Sequence, residues 1–353
     1  MSIILINMIG QVYKIHSDFY YVMPETKIPD IKIVECKLRE ILKKGKTKIL
    51  VGDFVEYNED FAITRVLKRK NFCFKPAVAN LDLMLVVSAI LEPDLDFIQL
   101  NRYLTFLKYH KINALLCFNK DDLTSADELN QIKERIENIY KPLGYDMVFT
   151  SALNKDGLSV LKKMIKGKTI ALTGLSGVGK SSILNALNPD FNLKTKTVSE
   201  RLKRGVHTTR HSEILEFSDF KIIDTPGFSK LTFDFILPKD LGDYFDEIKE
   251  LKTGCKFSDC LHIIDTDEDC NVINNLENID ISRYESYIEF LEETKKYKTK
   301  VTYEGTKSES TTKIHSNKEF AKISTKKRTH SRKKLKQTAK NLILEHTPEE
   351  NYD

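Results

Sequence analysis

Residues 173–181 read Thr-Gly-Leu-Ser-Gly-Val-Gly-Lys-Ser, and the rest of the chain is best read outward from them. Gly174, Gly179, Lys180 and Ser181 fill the fixed places of G-x-x-x-x-G-K-S, with Leu175, Ser176, Gly177 and Val178 between them. The apolar run Thr169 to Leu172 predicts a short buried strand before the motif, and Ser182 to Leu187 predicts a helix after it. That strand–loop–helix setting is the context a phosphate-binding loop requires. Glycines let the backbone curl so that successive N–H groups face phosphate oxygens, and the helix start adds the positive end of its dipole. The reading assigns 173–181 to nucleotide binding, Lys180 to the terminal phosphates and to catalysis, and Ser181 to Mg²⁺.

The remaining composition fits that assignment. The chain has 353 residues, enough for two or three domains, with 41% hydrophobic and 30% charged residues. No apolar run reaches membrane-spanning length, so a cytoplasmic protein without membrane association is expected. The opening MSIILINMIGQVYKIH lacks a basic leader and a small-residue cleavage site and is read as a strand. No extended apolar seam points to an obligate dimer, and a monomer is expected. Cys36, Cys73 and Cys117 are scattered, whereas Cys255, Cys260 and Cys270 cluster, a pattern suited to a reduced protein with a metal site.

From Leu83 to Ile223 strand and helix patterns alternate. Leu83–Val87 is continuously apolar, as a strand covered on both faces should be. Helical spacing follows over 97–110. Ser125-Ala126-Asp127-Glu128 reads as a capping box opening a helix with Leu129, Ile132, Ile136 and Ile139 on one face. Strands at 114–118, 147–150 and 221–223 and a helix at 158–165 complete a doubly wound α/β sheet.

The loops at the strand ends carry chemistry. Asn119-Lys120-Asp121-Asp122 fits N-K-x-D. The Asp122 carboxylate can accept from guanine N1–H and the 2-amino group, a donor pair adenine lacks, and an unpaired buried carboxylate is costly. Ser151 and Ala152 read as the supporting guanine loop. Asp224-Thr225-Pro226-Gly227 fits D-x-x-G, with Asp224 toward Mg²⁺ and the Gly227 N–H toward the γ-phosphate. Together these motifs specify GTP, with GDP as product. Their order is unusual for a Ras-like domain: N-K-x-D and Ser-Ala precede the phosphate loop, and D-x-x-G comes last. A circular permutation explains this, because domain termini often lie close together. The chain after Gly227 then runs directly into the C-terminal part.

Three flanking regions remain. Up to about residue 70, short alternating runs at 10–13, 19–22, 31–36, 48–57 and 62–66 predict five strands in a small OB-fold-like barrel, with an SH3-like barrel as the alternative. Lys43, Lys44, Lys46 and Lys48 fall in one loop, either solvated or touching nucleic acid. Between Lys194 and Arg210 six basic residues face only Glu200, and this segment is read as the first switch. Thr208 or Thr209 is expected to reach Mg²⁺. His207 either orients the attacking water or contacts RNA, since histidine titrates near neutral pH. Phe228 follows D-x-x-G where Ras-like enzymes place a water-orienting glutamine. Cys255-x4-Cys260-x-His262-x7-Cys270 offers three thiolates and an imidazole, a tetrahedral set for one structural Zn²⁺. A helix is expected over 279–291. From Glu292 periodicity fades, and Ala321–Lys340 holds nine Lys/Arg and no acid, a basic tail suited to nucleic acid.

This motif order, with a barrel before it and a Cys/His cluster after it, resembles the RsgA (YjeQ) family of circularly permuted GTPases over roughly residues 10–290. The resemblance rests also on Val51-Gly52-Asp53-Phe54-Val55, on Lys70-Asn71 with Pro76 to Asp82, on Val198-Ser199-Glu200 with Gly205 to Thr209, and on Asp224 to Phe228. The family is similar in placing zinc on C-x4-C-x-H and a later cysteine. The chain departs from the pattern at Lys75, at Arg210 and in the longer gap before Cys270, which keeps Asp265 and Asp269 open as the fourth ligand. The resemblance implies a GTPase that binds the immature small (30S) ribosomal subunit and its rRNA and promotes late maturation. The expected division is a barrel over 1–70, a permuted Ras-like P-loop domain over 71–236, a small α-helical zinc domain over 237–291 and a disordered basic tail over 292–353. A GTP-gated RNA-binding adaptor with incidental hydrolysis, and an unrelated P-loop ATPase, are the alternatives.

Overall fold

Alternating burial bends the first five strands into a closed barrel. These are β1 (Met8–His16), β2 (Phe19–Pro24), β3 (Val34–Leu38), β4 (Phe54–Tyr57) and β5 (Ala62–Val66). The computed structural model describes residues 8–26, 33–40, 42, 48–74, 77–188, 212–224, 231–263, 270–304, 312–315 and 318–321. β1 pairs antiparallel with β2 and β4, β2 with β3, and β4 with β5. The ring closes where β3 runs parallel to β5, Lys37 opposite Ala62. This Greek-key closure is that of the OB-fold and settles the choice between barrels. Val12, Val22, Val34, Cys36, Val55, Tyr57 and Ile63 fill the interior. Of the lysines read as one loop, Lys43, Lys44 and Lys46 lie outside the described residues.

The barrel is bound to the next unit by a turn that only glycine can make. Residues 48–51, expected in a strand, instead lead into a turn, and Val51 bridges Val78 in parallel. Gly52 sits at φ +93°, where a Cβ would lie 2.1 Å from the Ala79 carbonyl oxygen. Asp53 follows it, fully buried, and receives both Nε and Nη2 of Arg69 at 2.7 Å. A hairpin of β6 (Phe72–Phe74) and β7 (Ala77–Ala79), which the sequence pattern does not reveal, continues the junction. β1 itself shifts register between Val12 and Lys14, a bulge that re-aims the strand. Past it, Lys14 lies opposite Glu213 and its ammonium is 3.0 Å from that carboxylate.

Beyond the junction runs a sheet of β8 (Leu83–Ala89), β9 (Ala114–Asn119), β10 (Asp146–Thr150), β11 (Thr169–Thr173), β12 (Glu213–Glu216) and β13 (Lys221–Asp224). Its order is β10-β9-β8-β11-β13-β12, parallel except for β12. Helices α1 (Phe97–Tyr109) and α2 (Ala126–Tyr140) cover one face, and α3 (Leu158–Ile165) and α4 (Lys180–Leu187) the other. The strands lie between two apolar layers, which is why β8 is buried along nearly its whole length. Both bonds of the Ser125–Glu128 capping box form at the start of α2.

The core of the α1 face continues without a break into the C-terminal residues. Phe233, Phe245, Ile248, Val272, Tyr287, Phe290 and Leu291 join Leu100, Tyr103, Leu104 and Leu107 in one cluster. Phe233 and Phe245 come from the chain leading into α5 (Asp246–Leu251), and the others from α5 itself, α6 (Asn271–Asn274) and α7 (Ile281–Glu304). The stretch from Glu292, expected to lack structure, extends α7 to Glu304, and a ladder of β14 (Thr312–His315) and β15 (Lys318–Ala321) follows. The helix continues because Leu291 and Thr294 remain buried, while Lys295 pairs with Glu292 at 2.6 Å on the outer face. Tail residues beyond 321 lie outside the described residues.

A buried polar network fixes α7 on this face. The Arg283 side chain is 2% exposed, places Nε 2.6 Å from a Glu247 carboxylate oxygen and Nη1 3.0 Å from Asn101 Oδ1. Tyr140 donates to the same Asn101 oxygen at 2.9 Å. Breaking a buried pair leaves its partner charge uncompensated. Arg283→Ala should therefore cost about 3–5 kcal/mol, and adding Glu247→Gln should recover part of it. Urea unfolding of the two variants checks this, and a loss below about 1 kcal/mol would contradict it.

Candidate nucleotide and metal sites

Parallel pairing brings the C-terminal ends of β8, β9, β10, β11 and β13 to one edge, where ligands bind in open α/β sheets. Thr150 lies opposite Asn119, Ala89 opposite Asn119, and Thr173 opposite Val86. The motif residues at 119–122, 151–152, 173–181 and 224, far apart in sequence, thereby meet.

Asn119 is their hub. It is 1% exposed, and its Nδ2 donates to the Val178 carbonyl at 2.9 Å. Its Oδ1 accepts from Thr150 Oγ1 at 3.2 Å and from the Ala152 amide at 3.1 Å. One side chain thus ties the phosphate loop, N-K-x-D and the Ser-Ala loop together. The sequence reading put Asn119 in the nucleotide site, but this bracing role has no local signal. Ser151 is fully buried, and its Oγ accepts from the Asn154 amide at 3.0 Å.

The phosphate loop has the required shape. Gly174 stands at φ +144°, with the Val87 carbonyl oxygen 2.1 Å from where a Cβ would be, and Gly179 at φ +96°, with Asn119 Nδ2 at 2.2 Å. Leu175, Ser176, Gly177 and Val178 span the turn between them, and Ser181 opens α4 just after Lys180. Lys180 curls over the loop, donating to the carbonyls of Gly174 at 2.8 Å and Leu175 at 2.6 Å. Burial pulls its pKa below the usual lysine value, so an incoming polyphosphate offers this ammonium charge compensation that two carbonyls do not.

On the base side, Lys120 holds a left-handed backbone at φ 64° and its ammonium donates to the Glu92 carbonyl. Asp121 and Asp122 head a short 3₁₀ turn over Asp121–Leu123, and burial raises the Asp121 pKa. Glu92, which the sequence did not single out, enters the site through a carbonyl, for which residue type carries no signal. Asp224 ends β13, opposite Glu213 of the neighbouring strand. His207, Thr208, Thr209 and Gly227 lie outside the described residues.

The second constellation lies between α5 and α6. One ligand atom each from Cys255, Cys260, His262 and Cys270 lie within 4.8 Å of one another. The sulfur of Cys270 is 3.9 Å from that of Cys255 and 3.6 Å from that of Cys260, and His262 Nδ1 is 3.6 Å from the sulfurs of Cys255 and Cys270. Tetrahedral zinc with Zn–S of about 2.3 Å and Zn–N of about 2.0 Å has ligand–ligand edges of about 3.8 and about 3.5 Å. The sulfurs are also far beyond the disulfide bond length of about 2.05 Å. The donor set therefore fits one tetrahedral zinc. Burial, with Lys252 nearby, lowers the His262 pKa to about 4, keeping the imidazole neutral as a ligand must be. Cys270, open to doubt from its spacing, is in the cluster; Asp265 and Asp269 lie outside the described residues.

A P-loop, a guanine-type loop and D-x-x-G on a permuted sheet, behind an OB barrel, define a circularly permuted GTPase. Family models agree: RsgA N-terminal domain matches residues 9–62, RsgA GTPase residues 64–234, and a 50S ribosome-binding GTPase model residues 169–302. The chain is similar to the small ribosomal subunit biogenesis GTPase RsgA of Bacillus velezensis, 36% identical over 82% of this chain and 98% of that one. It is similar also to that of Geobacillus, 39% identical with the same coverage. Among solved structures, YjeQ from Thermotoga maritima superposes with TM-score 0.69 at 35% identity, covering 82% of this chain and 99% of that one. YloQ, a circularly permuted GTPase, superposes with TM-score 0.67 at 31% identity over 82% and 96%. The chain belongs to the RsgA GTPase family.

Proposed function

We propose that this GTPase binds the small (30S) ribosomal subunit through its rRNA, hydrolyses GTP to GDP and phosphate there, and assists late maturation of that subunit. The observation that carries this is the convergence of the N-K-x-D, Ser-Ala and phosphate loops on Asn119, behind a barrel of a type that binds oligonucleotides. The curated relatives' names support the small subunit as partner. In this reading residues 119–122, 151–152, 173–181 and 227 hold GTP. Ser181, Asp224 and Thr208 or Thr209 hold Mg²⁺, and Lys180 with His207 serves hydrolysis. Cys255, Cys260, His262 and Cys270 hold one structural zinc. The units are 1–70, 71–236 and a zinc-bearing unit from 237, in which α7 carries past the expected boundary at 291 to Glu304, in a cytoplasmic monomer. No helix among the described residues is long and apolar enough to cross a membrane. The test is GTP turnover with and without purified small subunits.

Base choice supplies a second test. Asp122 accepts two donors unique to guanine, so Asp122→Asn should weaken GTP binding by about 100-fold, the scale for leaving buried polar groups unpaired. Xanthosine triphosphate should then bind better than GTP, which a competition assay with labelled nucleotide reads directly. Equal wild-type affinities for ATP and GTP would reject the assignment.

A further inference from the structure

Three buried polar groups meet beside the phosphate loop, and none has a hydrogen-bond partner among the described residues. They are the Tyr103 hydroxyl and Gln99 Nε2 of α1 and the Thr173 hydroxyl at the end of β11. Thr173 is 1% exposed and Tyr103 2%, so bulk solvent does not reach them. Burial pushes the Tyr103 pKa up, and Thr173 and Gln99, standing beside its hydroxyl, oppose that shift. A cavity of about 10 Å³ opens here, lined by Gln99, Tyr103, Leu175 and Val178 among others. That is room for one water, and a buried water makes about three hydrogen bonds. Buried polar groups are costly to leave unpaired, and three of them around a one-water space form a matched set.

The position of the cavity ties it to the nucleotide site. Leu175 and Val178 belong to the phosphate loop, and Thr173 is the residue before Gly174. Pro93, which also lines the cavity, brings its Cδ within 3.8 Å of where a Cβ of Gly177 would lie. Lys180 steadies the same loop through the carbonyls of Gly174 and Leu175. A polyphosphate draws that ammonium away. The loop then keeps its shape through contacts that nucleotide does not displace, namely Asn119 on Val178 and this cluster.

We propose that Tyr103, Gln99 and Thr173 bind one ordered water that ties α1 to the start of the phosphate loop, and that Tyr103 and Gln99 are thereby positioning residues for nucleotide binding. The loop's amides face phosphates that GDP and GTP share, so the brace supports both nucleotides alike. Its loss weakens binding uniformly and leaves the turnover of bound GTP intact. The inference rests on the assignment of residues 173–181 to nucleotide binding, and two independent measurements separate the two.

The first is a high-resolution crystal structure of the full chain. It should show one density peak within about 3.2 Å of all three groups, lost in Tyr103→Phe. No peak in the wild type, or a direct hydrogen bond between the two hydroxyls, overturns the proposal. The second is titration with labelled GDP and with a labelled non-hydrolysable GTP analogue. Tyr103→Phe keeps the ring and should raise both Kd values about tenfold, with kcat at saturating GTP within about twofold of wild type. Thr173→Val should match it, and the double variant should be no worse than either, because both hydroxyls serve one water. Tyr57→Phe is the control: Tyr57 is fully buried in the barrel, its hydroxyl is likewise without a partner among the described residues, and the change should leave both Kd values at wild type. Tyr103→Phe affinities within twofold of wild type, additive losses in the double variant, or an equal loss in Tyr57→Phe each overturn the proposal. A wild-type chain that binds neither nucleotide overturns the assignment of 173–181 instead, and the density peak then decides the water site alone.

Discussion

Purified chain should carry about one zinc ion, and Cys270→Ser should lose it together with the stability of the residues around α6. The four donors already stand at zinc-like separations, so binding requires little rearrangement. Isolated small zinc units gain on the order of 10 kcal/mol from the metal. Here the loss should be smaller, because Phe245, Ile248, Val272 and Tyr287 also belong to the large core. The exposed consequence lies in the ligand loop: Tyr284 donates to the His262 carbonyl at 3.0 Å and Tyr287 to that of Leu261 at 2.9 Å. Without the metal, these two hydrogen bonds must hold the loop's carbonyls without the support of a ligated loop. A loss of about 4 kcal/mol would lower the melting temperature by roughly 8–16 °C, the range for a cooperative unit of about 150–250 residues, since this core is shared with the nucleotide domain. Nucleotide affinity should change little, since Val178 and the helix α4 after the phosphate loop pack in one apolar layer of the sheet, whereas Cys255, Cys260 and Cys270 belong to the layer on the other face. Elemental analysis and melting with and without chelator read both effects. Full zinc content in Cys270→Ser would remove Cys270 from the ligand set.

The nucleotide motifs were legible because each is a short loop whose chemistry lies within a few residues. The doubly wound sheet followed from apolar strands such as Leu83–Val87, and the α2 start from a capping box that forms with both its bonds. The barrel was read as OB-fold-like, but strand patterns alone left an SH3-like barrel open. What distinguishes it is the parallel pairing of Lys37 with Ala62, a non-local register that strand patterns do not encode. The length of α7 was misread for a related reason. Its outer face is charged, and what holds it is partners far away in sequence: Arg102 on Glu289 and Glu293, and Asn101 on Ser286 at 2.9 Å. Asn119 was read as a nucleotide-site residue from its motif alone; its bond to Val178 spans 59 positions and becomes visible only once the strands are aligned.

Small ribosomal subunits should raise GTP turnover by about 100-fold or more. The reason lies in what the chain lacks: Phe228 follows D-x-x-G, and a phenyl ring cannot orient the attacking water as the Ras-type glutamine does. Supplying a missing catalytic group in trans accelerates related enzymes by about 10³–10⁵, so even partial completion by a partner gives a large effect. The fold offers a route for that completion. β1 of the barrel is fixed to β12 through Lys14 and Glu213, and Tyr13 of the same strand donates to Glu216. RNA docked on the barrel would thus bear on the strand that directly follows the basic segment Lys194–Arg210. Docking could fix His207 and the water together, using positioning energy the free enzyme does not have. If the contacts are with phosphates, stimulation at limiting subunit should fall at least about tenfold between 50 and 200 mM salt. His207→Ala should retain GTP binding and lose stimulated turnover; full stimulation in that variant would remove His207 alone from the mechanism. Release from subunits with a non-hydrolysable analogue as fast as with GTP would favour an adaptor in which hydrolysis is incidental. Equal turnover with and without subunits would reject partner-dependent catalysis itself.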